Sequence, residues 1–442
     1  MKKLLFICLL IVANAIGFSQ TFNSQRLDSL VQVLEKNNKF MGSIAFSLDG
    51  KLLYSNAIGY SDIESSKKAD VKTKYRIGSI SKMFTASLIL KAVEENKLSL
   101  KQTLDKYFPQ IENSTEITIE NLLNHKSGIH DLTHNKNFFT YNTKPQSEMQ
   151  MIDIIAKGKS DFKPDSKVEY SNSNYVILSY ILEKIYRKPY ATILNTKIIK
   201  PLGLKNTYFG GKIQIQNEES YSYHFTNNWD KATETDASIS MGAGTIVSNP
   251  TDLNAFIGHL FKGKIISVKS LAIMRTMNDY HGIGIGMGML SFTNFNKKSY
   301  GHNGAIDGFQ SILSYSPGEK LSVAVTSNGS NYSIDNVLAC ALSSYYNKSF
   351  EMPVFSSVDV KPEVLNLYLG QYASQQIPIK MAITKKENKL FGQVTGQPAF
   401  PLEATATNSF KFEPAGIVLE FDANKIQMIL KQGGKEFLFT KE

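Results

Sequence analysis

Lys72-Thr73-Lys74-Tyr75-Arg76-Ile77-Gly78-Ser79-Ile80-Ser81-Lys82-Met83-Phe84-Thr85-Ala86-Ser87-Leu88-Ile89-Leu90 carries more information than any other part of the chain. A polar loop gives way after Gly78 to an apolar run of helical spacing, and Ser79 and Lys82 stand one turn apart at its start. Residues i and i+3 share a helix face, so hydroxyl and amine lie side by side. Burial of that face would strip the lysine of solvation, lower its pKa and leave a neutral amine able to take the serine proton. The positive end of the helix also favours a developing alkoxide. The same spacing occurs in Ser65-Ser66-Lys67-Lys68 and Ser160-Asp161-Phe162-Lys163. The first lies in a charged stretch and the second precedes Pro164; only Ser79 and Lys82 open an apolar helix after a glycine. An ordinary helix start with an N-terminal serine is the competing explanation, so the pair needs partners.

Two partners follow downstream. Tyr170-Ser171-Asn172 precedes an apolar-periodic helix expected over 175–186. A turn of this kind can aim a phenol and an amide into one cleft, and near cationic groups the phenol can ionise more easily and act as general acid or base. A Ser/Asn-rich helix cap explains the same residues, and Tyr54-Ser55-Asn56 and Tyr345-Tyr346-Asn347 repeat the pattern. The third element is Tyr300-Gly301-His302-Asn303-Gly304-Ala305, ahead of a strand expected over 309–315. In a strand His302 and Gly304 share a face, and the glycine lets a substrate approach the backbone. An edge strand here would pair with an extended substrate and point a backbone N–H at the reacting carbonyl. Taken together, the three elements in this order argue for nucleophilic serine chemistry.

With these motifs the chain resembles the serine penicillin-recognising hydrolases of β-lactamase-like fold, a family holding class C β-lactamases, D-Ala-D-Ala carboxypeptidases, D-aminopeptidases and β-lactamase-like esterases. Leu122-Leu123-Asn124-His125-Lys126-Ser127-Gly128-Ile129, Pro201-Leu202-Gly203-Leu204-Lys205-Asn206-Thr207, Met241-Gly242-Ala243-Gly244 and Asn249-Pro250-Thr251-Asp252-Leu253 extend the likeness over roughly residues 25–350. The resemblance implies that Ser79 is the acylated nucleophile and Lys82 its activator. It makes Tyr170 the general base for acylation and acid to the leaving group, and Asn172 the group that bonds the substrate amide. Substrate binding would also involve His302 and Gly304, with an oxyanion hole from the backbone N–H groups of Ser79 and Ala305. His302 stands where β-lactamases carry the lysine of Lys-Thr-Gly. Lysine is a permanent charge for a substrate carboxylate, whereas histidine is largely neutral at pH 7. That favours a hydrolase of peptides, D-amino-acid derivatives or esters over one of antibiotics.

Length and composition set the frame. With 442 residues the chain suits two domains. Residues 1–19 read as a secretory signal: Lys2-Lys3, an apolar run over 4–12, then small residues, with cleavage after Ser19 or Ala15. The apolar run is too short for a transmembrane anchor. Cys8 falls in this leader, leaving Cys340 alone and no internal disulfide, which suits a periplasmic or secreted protein held by a large core. The formal charge of +10 is scattered, without a basic helix interleaved with aromatics, so nucleic acid is not an expected partner. The chain has no Gly-x-Ser-x-Gly elbow, Walker sequence or dinucleotide glycine pattern. His125, His130, Asp131 and His134 lack a fixed cysteine or acidic partner set, so neither metal nor organic cofactor is expected.

The chain patterns as α+β. An amphipathic helix (Leu27, Leu30, Val31, Leu34) precedes alternating strands near 43–46 and 52–57. A helical middle holds Ser79 and Tyr170, and Asn249-Pro250 starts another helix with proline at its first position. Strands return near 283–290, 309–315 and 322–327 before a helix over 334–345. The resemblance implies an antiparallel sheet flanked by helices plus a helical lobe. After a linker over 353–362, short alternating runs with turns at Lys386-Glu387-Asn388, Asp422-Ala423-Asn424 and Gln432-Gly433-Gly434 indicate a small all-β domain over 363–442. About eight strands fit a closed up-and-down barrel. It is similar to the lipocalin-like domain attached to some peptidases of the family, which implies either a barrel that restricts the cleft to small substrates or a purely structural appendage.

The expectation is a secreted or periplasmic serine hydrolase with its catalytic domain over 20–352, acting on a small peptide, D-amino-acid or ester substrate, or on peptidoglycan fragments. D-Ala-D-Ala carboxypeptidase or D-aminopeptidase activity leads, followed by carboxylesterase and β-lactamase. A penicillin-binding or sensor module that acylates without turnover is the alternative of another class.

Overall fold

The computed structural model describes residues 22–442 except 227, 356, 357, 396, 398, 433 and 434. The expected leader and the Gly433-Gly434 turn lie outside the described residues. The first helix, α1 (Ser24–Lys36), is capped by Asn23 and buries Leu27, Leu30, Val31 and Leu34 along one face. It leads into β1 (Phe40–Leu48) and β2 (Lys51–Ile58). The helices α2 (Ser81–Glu94), α3 (Asn172–Tyr186) and α4 (Pro250–Phe261) then form most of a helical lobe. Strands return as β3 (Asn278–Tyr280), β4 (Ile283–Gly286), β5 (Met289–Asn294), β6 (Lys297–Ile306), β7 (Phe309–Ser316) and β8 (Leu321–Ser330), and α5 (Ile334–Tyr345) closes this body. The eight strands make one antiparallel sheet in the order β3-β4-β5-β6-β7-β8-β1-β2.

Strand β1 is buried along nearly its whole length instead of alternating, because helices cover both of its faces. On one side α1 and α5 pack through Leu27, Phe46, Val325 and Leu342. On the other, α4 joins the helical core, where Phe84 stacks on Phe256 with ring centroids 3.6 Å apart. A strand buried on both faces carries a continuous apolar run, so its sequence shows little period-two signal.

The expected edge strand is corrected in an instructive way. Strand β6 lies in the middle of the sheet, but β5 pairs only with its first half, Lys297 to Gly301. On the other side β7 pairs with it from Tyr300 to Ile306. His302 to Ile306 therefore follow the end of the β5 ladder, and this half of the strand faces the start of α2.

The C-terminal region is a closed barrel of eight strands, β9 (Gly370–Ala373), β10 (Lys380–Lys386), β11 (Lys389–Val394), β12 (Phe400–Ala406), β13 (Ser409–Phe412), β14 (Ile417–Asp422), β15 (Gln427–Gln432) and β16 (Lys435–Lys441), each paired with the next and β9 with β16. Alternate residues such as Tyr372, Met381, Leu402, Phe410, Leu419 and Phe439 fill its interior. A short helix, Pro362–Leu367, precedes the barrel and adds Leu365 to that core. The sequence gives little sign of a helix only six residues long. Lys39, nearly buried, holds the barrel to the body by an ion pair with Glu403 at 2.8 Å, and Asn331 donates to the same carboxylate at 3.1 Å. Among the described residues no helix is long and apolar enough to cross a membrane.

Candidate active site

Ser79 sits in a single 3₁₀ turn, Gly78–Ile80, that runs directly into α2. Gly78 has a φ of +51°, and a Cβ there would come within 2.7 Å of the Ala305 backbone nitrogen. A Cβ on Gly304 would lie 2.1 Å from the Ile77 carbonyl oxygen and 3.0 Å from the Ser79 nitrogen. The two glycines thus let the segment before Ser79 and the free half of β6 touch backbone to backbone. This contact sets the amides of Ser79 and Ala305 beside one cleft, the arrangement an oxyanion hole needs.

Lys82 follows one turn later and is fully buried. Its Nζ donates to Ser79 Oγ at 2.9 Å, to Asn172 Oδ1 at 2.7 Å and to the Ala243 carbonyl at 2.9 Å. Burial lowers its pKa to about 7, against the opposing attraction of the Asp131 carboxylate. The rival Ser-x-x-Lys sites lie elsewhere: Ser65 bonds to Asp62, and Ser160 to the Gly128 and Phe162 carbonyls.

Tyr170 precedes α3, and its hydroxyl has Ser79 as hydrogen-bond partner. The Lys82 ammonium nitrogen lies 4.9 Å from its ring centroid. Burial nonetheless pushes the phenol well above its ordinary pKa, the reverse of the easier ionisation expected from nearby cations. Desolvation, reinforced by the nearby Asp131 and Tyr280, outweighs the hydrogen bond with Ser79 that favours the phenolate. Tyr170 is therefore a neutral hydroxyl, suited to donating a proton.

Asn172 occupies the first turn of α3 with both ends of its amide engaged. Its Oδ1 accepts from Lys82, and its Nδ2 donates to Asp131 Oδ2 at 2.8 Å. The same carboxylate accepts from the backbone N–H groups of Asn172 and Thr133 and from the Thr133 hydroxyl. Asp131 thereby fixes which way the Asn172 amide points. In the sequence Asp131 stands out only as part of a rejected metal cluster; its position directly after Ser127-Gly128-Ile129-His130 is the available signal.

Of the other members of that cluster, His130 and His134 stay neighbours with ring centroids 6.2 Å apart, while His125 lies elsewhere. His125 stacks beneath Tyr170 with centroids 4.4 Å apart, and its Nδ1 accepts from the Ser171 amide. Burial, with Lys82 and His302 nearby, holds His125 neutral, well below its ordinary pKa. His130 pairs with Asp161 at 2.9 Å. The loop holding these residues is stitched to α3 through Ser127 to Asn174 and Ser173 to the His130 carbonyl, which explains why residues 125–133 take up this path.

His302 is buried in β6, and its ring lies 6.3 Å from that of Tyr170. Its Nδ1 hydrogen-bonds to the Asn303 carbonyl, which accepts, so Nε2 carries the lone pair. Burial and the Lys82 charge lower its pKa to about 3. The residue is neutral at any ordinary working pH.

Ser79 opens onto two cavities. One, of about 650 Å³, is bordered by Asn172, Ala305 and apolar side chains that include Phe138 and Ile239. The other, of about 440 Å³, is bordered by Tyr170, Gly304, Ala305, Asn303, Gln310 and Asp335, with Pro414 of the barrel at its edge. At the far wall Arg76 joins Asp307 at 3.0 Å, Glu234 at 3.2 Å and the Thr235 and Gly211 carbonyls. This ties the approach to Ser79 to the end of β6. Sequence reasoning missed Arg76 and Asp307 because their partners are scattered through the chain.

The chain is similar in sequence and in fold to known proteins. A family model described as Beta-lactamase matches residues 27–339. A teichoic acid D-alanine hydrolase from Staphylococcus aureus strain MRSA252 is 30% identical over 237 residues, 53% of this chain and 57% of its own length. The chain thus spans little more than half of that relative. A D-amino acid amidase from Ochrobactrum anthropi SV3, in complex with L-phenylalanine amide, superposes with a TM-score of 0.67 at 22% identity, over 74% of this chain and 99% of its own. The octameric penicillin-binding protein homologue from Pyrococcus abyssi does so with a TM-score of 0.65 at 23% identity, over 95% of this chain and all of its own. At such identities the likeness is one of fold.

Proposed function

The chain belongs to the Beta-lactamase family and is a serine hydrolase, and we propose that it cleaves amides or esters of D-amino acids through an acyl-enzyme on Ser79. The observation that carries this reading is a buried Lys82, with a pKa of about 7, whose Nζ lies 2.9 Å from Ser79 Oγ. Near neutral pH a large fraction of this amine is unprotonated and can accept the serine proton as the Oγ–carbon bond forms. The tetrahedral oxyanion is held by the Ser79 and Ala305 amides. As the bond to the leaving nitrogen or oxygen breaks, the neutral Tyr170 hydroxyl gives it a proton and recovers one from the Lys82 ammonium. Water then repeats the sequence on the ester, returning the Ser79 hydroxyl and releasing the acid. Asn172 holds the lysine, and its remaining Nδ2 hydrogen is available to the acyl group.

Within the family reading, two features favour aminopeptidase, amidase or esterase chemistry over carboxypeptidase or β-lactamase chemistry. His302 is uncharged where a carboxylate-binding cation would stand. Asp335 is the one charged side chain among the described residues lining the cavity on the Tyr170 side, and an anion there repels a carboxylate on the leaving group. The names of the relatives, a D-alanine hydrolase and a D-amino acid amidase, support D-amino-acid substrates. We further propose a catalytic domain over 20–352, a linker over 353–362 and a barrel domain over 363–442. A place in the cell envelope is supported by the leader-like residues 1–19 and by the teichoic acid relative.

Intact-protein mass spectrometry after mixing with a fluorophosphonate, and separately with a penicillin, tests the reading. The expected result is a phosphonate adduct that Ser79→Ala abolishes, without a lasting penicillin adduct. An unlabelled native protein, or an adduct that survives Ser79→Ala, rejects the nucleophile. One product equivalent followed by silence favours a non-turnover sensor.

A further inference from the structure

The two cavities beside Ser79 face opposite parts of the reaction. Tyr170, the proton donor to the leaving group in the hydrolase reading on which this inference rests, lines the smaller cavity. Asn172 lines the larger one. The leaving group therefore departs on the Tyr170 side, and the acyl group occupies the larger space.

That space is built for bulk. Its volume is about 650 Å³, whereas a methyl group fills roughly the volume of one water molecule, about 30 Å³. An alanyl side chain would leave it almost empty. Its wall includes Leu132, Phe138, Val176, Ile239 and Ile306, and at its rim Phe139 is 83% exposed. Phe139 meets Phe138 edge-on with ring centroids 5.4 Å apart, yet most of its ring stays in water at the mouth of this cavity, apolar surface that a bulky substrate would cover. Lys231, the lysine at this rim, lies 3.0 Å from the Tyr221 ring centroid and 3.8 Å from Glu64, so its charge is already matched.

We infer that the acyl group preferred by this enzyme carries a large apolar side chain, aromatic or branched aliphatic, seated between Phe139 and Ile239. Each methylene buried there should raise kcat/KM about fourfold, the factor that corresponds to the transfer of one CH₂ from water.

The test measures kcat/KM of the full chain on p-nitrophenyl acetate, hexanoate and 3-phenylpropionate, for the native protein, Phe139→Ala and Thr233→Trp. Thr233 is an exposed residue on the wall of the same cavity, and tryptophan there would fill it. The native protein should favour 3-phenylpropionate over acetate by at least tenfold. Thr233→Trp should bring the two within about threefold, and Phe139→Ala should lower the ratio of 3-phenylpropionate to acetate kcat/KM by about fourfold. A flat or falling native series with Ser79 still labelled by fluorophosphonate overturns this inference and leaves the hydrolase reading intact. A native preference that neither variant changes also overturns it. Absence of both turnover and Ser79 labelling overturns the two together. Should one variant lose acetate turnover as well, the other decides.

Discussion

Replacing Lys82 by methionine should change how stability depends on pH, because the buried amine titrates differently in the folded and unfolded chain. In the folded protein its pKa is about 7; in the unfolded chain a lysine titrates near 10.4. Below pH 7 both states hold the proton, and the folded state carries a desolvated charge. Between the two pKa values the unfolded chain binds one proton more, so stability rises with pH by about 1.4 kcal/mol per unit. Methionine keeps the volume and cannot titrate. It leaves Asn172 Oδ1 and the Ala243 carbonyl without the lysine donor, a penalty that does not vary with pH. The native protein should therefore gain on Lys82→Met by about 2 kcal/mol from pH 7 to pH 9, and by little between pH 5 and pH 6. Urea unfolding at matched pH measures this difference while other titrating groups cancel. Trp229 is the single tryptophan, packed edge-on to Phe225 beside Gly329 in the body's sheet, so its fluorescence follows the catalytic body and not the barrel. A difference that stays flat across this range, or falls as pH rises, would refute the neutral-amine argument.

The same titration should appear in catalysis: kcat/KM for an activated ester should rise through about pH 7 as Lys82 loses its proton. Lys82→Met should lower it by roughly a hundredfold to ten-thousandfold, the usual worth of a positioned acid–base group. Asp131→Ala should lower kcat on the order of tenfold to a hundredfold by freeing the Asn172 amide, while KM moves less. Asp131→Asn should recover most of the loss and shift the acid limb to lower pH, since the Asp131 charge raises the Lys82 pKa; an unshifted limb would count against that role. In Gly304→Ala the new Cβ would meet the Ile77 carbonyl oxygen at 2.1 Å, forcing apart the two segments that carry the oxyanion donors. Fluorophosphonate labelling of Ser79 should then slow by about a hundredfold, with Trp229 fluorescence unchanged.

The elements that sequence made legible are those whose pattern is local. The face of α1, the proline opening α4 and the alternating runs of the barrel each follow from a period or a cap within one segment. Ser79 and Lys82 were visible for the same reason, being one turn apart. Strand β1 hid its period because helices bury both faces. The short helix Pro362–Leu367 fell below the length at which periodicity shows. In the site, the neutrality of His302 followed from residue type, but the upward shift of Tyr170 did not. That shift depends on complete burial, which arises only once His125 stacks on Tyr170 and the His302 ring lies close by. Asp131 was noticed for its neighbours in sequence, yet it acts on a residue 41 positions away.

The pairing of β1 with β8 has a consequence for how the protein comes into being. On one edge Gly42 to Leu48 pair with the neighbouring β2, but on the other Phe40 to Leu48 find their partners at Leu321 to Ser330, so this second edge must wait for most of the body to be made. Until then the open edge of β1 and the apolar side chains of α1 and β1 that face α5 and β8 stay uncovered, a state prone to association with other chains. The barrel is the opposite case: seven of its eight ladders join strands adjacent in sequence, and only β9 with β16 spans its length. Local pairing closes quickly, whereas pairing across hundreds of residues is slow. Renaturation should accordingly show a fast phase belonging to the barrel and a slow one in which Trp229 acquires its native emission.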